Sequence, residues 1–369
     1  MNEQELICLI ALGMAQGVGL ASAHKLYGMM GSAEAIFAHR RDLPGMVEGF
    51  SSQQAEALAD PRLFARAEKE MEFADKHDIR CLAFKDPDYP SRLRDCPDAP
   101  LTLFYRGSIP LNARHVIAIV GTRHATEYGR AMCIKLISEL KDICPDVLVV
   151  SGLAYGIDIA AHRAALDYGF PTVGVLAHGL DRIYPSAHRD TAALMVQQGG
   201  LLTEFITGTN PDRQNFVKRN RIVAGMSDAT IVVESAAKGG ALITADIASS
   251  YARECFAFPG PVGAPWSEGC NQLIRNNGAT LIQSAADLMD SMMWQNRTPA
   301  QPVQRQLFPD LTPEEQRVVD CLRRSPSGVQ INTLTVQTDF PINKLTGLLF
   351  ELEMKGMVTP LAGGCYRVI

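Results

Sequence analysis

The middle of this chain predicts a doubly wound α/β fold, on two observations. From His115 onward, apolar runs such as HVIAIVGTR, VLVVSGLA and ATIVVES alternate with segments of helical periodicity, and strands apolar along their whole length belong to parallel sheets covered on both faces. Each run stops at a glycine or polar turn, which is how a strand hands over to a crossover helix. Segments of different pattern flank this region, a helical one before it and a helical one with a terminal hairpin after it.

In chain order, residues 1–60 read as short helices broken by glycine, with Gly17 and Gly19 in a hairpin of the helix-hairpin-helix or SAM-like kind. Backbone N–H groups in such a turn can face a phosphate, and a Gly-x-Gly loop is equally an ordinary tight connection. Residues 61–114 form a connecting segment, a helix over about 63–76 and then strand segments separated by prolines.

Residues 115–295 are the sheet domain. Ligands of such a sheet sit at the carboxyl ends of its strands. Candidates there are Gly121, Thr122 and Arg123 after the first strand, Ser151 and Gly152 after the second, Glu204 and Phe205 after the fourth, and Glu234 and Ser235 after the fifth.

The Pro/Gln-rich 296–311 is a linker. Thr312, Pro313 and Glu315 then make a capping box with proline at N1. It opens the first of three helices over 312–369, which with a hairpin turning at Gly363 and Gly364 give a winged-helix module. Its third helix, over about 341–356, sets Lys344 and Lys355 against Glu351 and Glu353. That balance suits protein contact or regulation better than a DNA groove, which needs cations.

The chain is 369 residues long, 47% apolar and 20% charged, with net charge −5. Any nucleic-acid contact must therefore come from a local patch. No apolar run approaches the roughly 20 residues of a membrane span, and the first residues lack signal-peptide order, so the expected location is the cytoplasm. Nine scattered cysteines without a CxxC pair indicate neither a disulfide framework nor a zinc ribbon.

The local patch is the stretch FVKRNRIVAG, residues 216–225. Lys218, Arg219 and Arg221 crowd what reads as the start of a short helix, where the helix dipole makes cations unfavourable unless an anion offsets them. The competing reading pairs Arg221 with an acid such as Glu204 or Glu234. Arg123 adds charge from another strand end, and Phe205, Phe216 and Tyr184 stand beside these loops. Phosphate contacts plus stacking that tolerates any base describe single-stranded nucleic acid.

Other chemistries fit less well. At the start of GTRHATEYG the six-residue window of a dinucleotide fingerprint, which needs three glycines, has only Gly121, no P-loop or GxSxG elbow occurs, and Asp158 with His162, four apart, lacks a third metal ligand. No cofactor and no metal are expected.

The ordered set GTR (121–123), SGLAYGID with AH (151–158, 161 and 162), GLDRIYP (179–185), FVKRNRIVAG (216–225), GGALITA (239–245), FPGPV (258–262) and EGCNQLI with NGA resembles the DprA/Smf family, the DNA-processing proteins of natural transformation. The resemblance implies an extended Rossmann fold, binding of single-stranded DNA, a homodimer through the Rossmann-like domain and loading of a RecA-type recombinase. It also implies protection of the DNA from nucleases and from single-strand-binding protein, without catalysis. Its motifs place DNA binding at Arg123, at Arg219, Asn220 and Arg221, and at the turn of Gly239 and Gly240. Residues 269–289, with Leu273, Ile274, Leu281, Ile282 and Leu288, resemble its dimer-forming region.

Two other readings remain. Nucleoside-monophosphate phosphoribohydrolases of the lysine-decarboxylase-like class use PGGxGTxxE, against KGGALITAD over residues 238–246 here, with Asp246 as the acid. A regulator binding duplex DNA through the wing is the third.

Overall fold

Apolar runs flanked by turn residues form one nine-stranded sheet. Its strands are β1 (Arg80–Ala83), β2 (Thr102–Gly107), β3 (His115–Val120), β4 (Val147–Ser151), β5 (Thr172–Val175), β6 (Gly200–Thr203), β7 (Ala229–Val232), β8 (Glu254–Ala257) and β9 (Thr280–Leu281). The structure, a computed structural model, describes residues 2–294, 311–325, 328–361 and 364–368. Their contacts divide the chain into two units, Met1–Asn296 and Arg297–Ile369.

The spatial order is β1-β2-β6-β5-β4-β3-β7-β8-β9. From β6 through β9 all neighbours are parallel, whereas β1–β2 and β2–β6 are antiparallel. Alternate residues of β3 serve two cores: Val116, Ala118 and Val120 face one, and Ile117 and Ile119 the other. Both faces are covered, which is why the strand sequence is apolar without alternation.

The segment 61–114, expected as a connection, does more than connect. Its β1 and β2 extend the sheet beyond β6, and its Arg92 pairs with Asp228 ahead of β7 at 2.5 Å. Prolines at 87, 90, 97 and 100 surround these strands, which suits a sheet margin and masks the strand pattern. The helices of residues 1–60 share a core with it, Leu9, Ile10, Leu26 and Ile36 packing with Ala83, Leu101 and Phe104. The helical module and the sheet thus form a single unit.

The chain runs outward through β3, β4, β5 and β6 and then returns to lay β7 against the other side of β3. The carboxyl ends of β3 and β7 are therefore the point where strand order reverses, the place at which open α/β sheets leave a crevice.

In the second unit, the helix Pro313–Arg323 starts at the expected capping box: Thr312 accepts from the Glu315 N–H, and Glu315 accepts from the Thr312 N–H. Helices Ile331–Thr338 and Ile342–Met354 follow, with a small antiparallel sheet of β10 (Val329–Gln330), β11 (Val358–Leu361) and β12 (Cys365–Val368). This is a winged helix. The linker expected over 296–311 lies outside the described residues up to 310, as does Gly363 at the hairpin turn. Among the described residues no helix is long and apolar enough to cross a membrane.

Candidate nucleic-acid interface

A crevice of about 460 Å³ opens at the carboxyl ends of β3 and β7. It brings together Gly121, Thr122 and Arg123 from the turn after β3, Phe216, Arg219 and Asn220 from the helix Arg213–Gly225, and Gly239 and Gly240 from the turn after β7. Two backbone hydrogen bonds hold the first turn, from Thr122 N–H to the Glu234 carbonyl at 2.7 Å and from Ile157 N–H to the Thr122 carbonyl at 3.1 Å. Thr122 is buried by this arrangement, and Arg123 stands exposed at the rim. Across the crevice, Gly239 caps the helix Gly240–Ser250 without a side-chain cap bond. Its first N–H groups are left for an outside acceptor, and a helix N-terminus favours an anion.

The aromatic side of the site is built on Phe216, which is half-buried. The Arg123 guanidinium lies 4.8 Å from its ring centroid, and the exposed ring of Tyr184 lies 6.0 Å away. Phe205 is 9% exposed and belongs to the core.

Three expected contacts, those of Lys218, Arg219 and Arg221, read differently in the structure. The helix begins at Arg213, five residues before Lys218, so the cations sit in its middle and the dipole argument does not reach them. Arg219 is 4% exposed; its guanidinium donates to the Gly152 carbonyl at 2.6 Å and to the Val175 carbonyl. Burial pushes its pKa down to about 10, opposed by the charge of the buried Asp158. Arg221 is 6% exposed and pairs with Glu204, while also donating to the Asp98 carbonyl at 2.6 Å. The competing reading of Arg221 as an internal ion pair is the one observed. Lys218 is exposed but points to the Glu204 side, 3.8 Å from that carboxylate and 5.4 Å from the Phe205 ring centre.

Ser151 and Gly152 also work as framework. The Ser151 hydroxyl donates to the Ile119 carbonyl at 2.6 Å, tying β4 to β3. At Gly152 a β-carbon would collide with the Arg219 guanidinium, so glycine is what lets the arginine cross there. Arg219 lines the crevice from beneath, a buried positive charge under its floor.

Sequence reasoning missed Trp266, His124, Arg213 and Lys238, all on the crevice wall. His124 stacks on Trp266 with ring centres 5.2 Å apart. The signal was available: Trp266 follows FPGPVGAP, the loop at the carboxyl end of β8, where the strand-end rule applies equally.

Residues 80–293 match the family model of the DNA recombination-mediator protein A, and residues 298–364 that of the DprA winged helix domain. The chain belongs to the DprA/Smf family. Protein Smf of Synechocystis sp. is 33% identical over 296 residues, which cover 79% of this chain and 74% of that protein. Among solved structures, DprA from Streptococcus pneumoniae aligns with a TM-score of 0.62 and 29% identity, covering 77% of this chain and 97% of that one. DNA processing protein A from Helicobacter pylori, whose structure was described for its single-stranded DNA binding mode, aligns with a TM-score of 0.53 and 28% identity over 58% of this chain and 96% of that one. Two expectations, an extended Rossmann-like sheet and a C-terminal winged helix, accord with these matches.

Proposed function

We propose that this DprA-family chain is a non-enzymatic, cytoplasmic single-stranded DNA-binding protein that protects the strand and loads a RecA-type recombinase onto it in natural transformation or recombination. The observation that carries the reading is the crevice itself: exposed Arg123, Arg213 and Lys238, free helix N–H groups and the Phe216 ring converge at the strand-order switch point. Cations and N–H groups take phosphates of any sequence, and an aromatic ring stacks on any base. The Helicobacter relative supports the choice of a single strand.

Labelled oligothymidylate bound to the full chain should be displaced by unlabelled single strand and poorly by duplex. Equal displacement by duplex would overturn the reading. For loading, the chain should speed assembly of a RecA-type recombinase on strands covered by single-strand-binding protein.

Dimerisation through residues 269–289 belongs to the same proposal. Ile282 and Leu288 are fully buried in the core, which leaves Leu273 and Ile274, half-buried, and Leu281, 43% exposed on the edge strand β9, for a partner copy. Light scattering at micromolar concentration should give twice the chain mass. The phosphoribohydrolase reading is disfavoured because Asp246 is exposed away from the crevice wall, and the Glu234 carboxylate is taken by Thr126.

A further inference from the structure

A second, larger groove of about 980 Å³ adjoins the crevice and shares Arg123 and His124 with it. It runs over the helices Glu127–Ile143 and Ile157–Asp167. Two exposed arginines stand on its walls, Arg130 from the first helix and Arg163 from the second. Among the described residues neither has a carboxylate within salt-bridge reach, and Arg163 makes only a long contact, 3.4 Å, to the Thr191 hydroxyl. The single acid on the lining is Asp167.

The floor differs from a solvated basic face. Its lining residues are small, Gly156 just ahead of the helix Ile157–Asp167 and Ala160 and Ala164 on it, and Ile134 is 48% exposed on the facing helix. Tyr155 is also 48% exposed, and its ring is propped edge-on by His188 at 4.9 Å, a buried residue fixed in turn to the Leu153 carbonyl at 2.8 Å. An aromatic ring held out over small apolar residues, between guanidinium groups without an ion pair among the described residues, matches a strand whose phosphates meet the walls and whose bases lie on the floor.

We propose that this groove is a second segment of the nucleic-acid track, which takes the phosphodiester strand leaving the crevice past Arg123 and His124. Arg130 and Arg163 hold its phosphates and Tyr155 stacks a base. The proposal rests on the crevice reading, because Arg123 is the junction of the two.

The test uses the full chain and two oligothymidylates, one of about 6 nucleotides that the crevice alone can fill and one of about 16 that must extend beyond it. The double variant Arg130→Ala/Arg163→Ala should bind the short strand like wild type. For the long strand, the slope of log K against log salt should flatten by about 1.4, and affinity at about 0.1 M salt should fall roughly 25-fold. Tyr155→Ala should weaken the long strand and leave its slope unchanged. Both arginines are exposed, so the variants should keep the wild-type melting temperature; Arg130→Glu/Arg163→Glu should enlarge the long-strand effect. Wild-type binding of both strands, unaltered in the double variant, would remove the groove from the track and leave the crevice reading standing. Equal weakening of both strands would make the groove part of the primary site and overturn its role as an extension. Failure of the wild type to bind either strand would overturn the crevice reading, and this one with it.

Discussion

The inner and outer flanks of the helix Arg213–Gly225 use the same residue types for opposite purposes. On the inner flank Arg219 and Arg221 are buried and spend their donors on Gly152, Val175, Asp98 and Glu204. On the outer flank Arg213 is exposed and Phe216 half-buried, facing Arg123 across the crevice. A guanidinium can satisfy itself on backbone carbonyls as well as on phosphate, so its presence in a motif does not say which it does. Burial decides. Inner-flank substitutions should therefore act on stability, and outer-flank ones on binding.

The largest expected effect is on the inner flank. Arg221→Ala should lower unfolding stability by about 3–5 kcal/mol, the cost of stranding the partner of a buried ion pair. Glu204 suits that estimate, since it is itself buried, burial raises its pKa, and its Oε1 is already without a hydrogen-bond partner. Lys218, 3.8 Å from the same carboxylate but 53% exposed, would be left to offset it from a more solvated position. Chemical denaturation measures the loss, and the salt slope of strand binding by the remaining folded protein should equal that of wild type. A flattened slope with unaltered stability would put Arg221 on the DNA and break the comparison.

Next in size is Phe216→Ala. Loss of one base stack should weaken single-strand binding by about 1–3 kcal/mol without changing the salt slope. Arg123 lies over the same ring, so its position also depends on Phe216. Isothermal titration at two or more salt concentrations separates the two effects: parallel lines mean stacking alone, and convergent lines mean that Arg123 has moved off its phosphate.

The fold was legible because its signal is redundant. The inner strands of the parallel sheet are buried on both faces, so nearly every residue of β3 and β4 carries the same message. β1 and β2 read as strand segments but not as members of this sheet, because they are proline-bounded and antiparallel at its margin. At the site, the glycine turns and Arg123 were readable from their place at strand ends. The fate of Arg219 and Arg221 was not, because it depends on Gly152, Asp98 and Glu204, which are 67, 123 and 17 residues away in sequence. Sequence could state the alternative for Arg221 and could not choose it. Trp266 lies in the loop at the carboxyl end of β8, where the strand-end rule holds as it does at β3.

A smaller effect is expected from Arg123→Ala. One lost phosphate contact should flatten the salt slope by about 0.7 and cost roughly fivefold in affinity at about 0.1 M salt, uniformly across sequences. The residue is exposed and makes no ion pair among the described residues, so melting temperature should not change. A fall in melting temperature without a change in slope would return Arg123 to the framework, beside Arg219.

The smallest effect is expected in the winged helix, where Lys344 and Lys355 are paired within their own unit. Lys344 meets Glu314 at 2.5 Å with both side chains about half exposed, at 45% and 48%. Lys355 meets the buried Glu315 at 2.6 Å, and that hydrogen bond holds the Glu315 carboxyl below its usual range. The helix Ile342–Met354 also exposes Ile342, Phe350 and Met354. An exposed pair contributes about 0–1 kcal/mol, so Lys344→Ala should change stability by no more than that and leave the salt slope of single-strand binding as in wild type. Titrations of the variant and wild type over the same salt range check this. A slope flatter by about 0.7 would mean that Lys344 leaves Glu314 for a phosphate when DNA is bound, and that the wing shares the strand with the crevice.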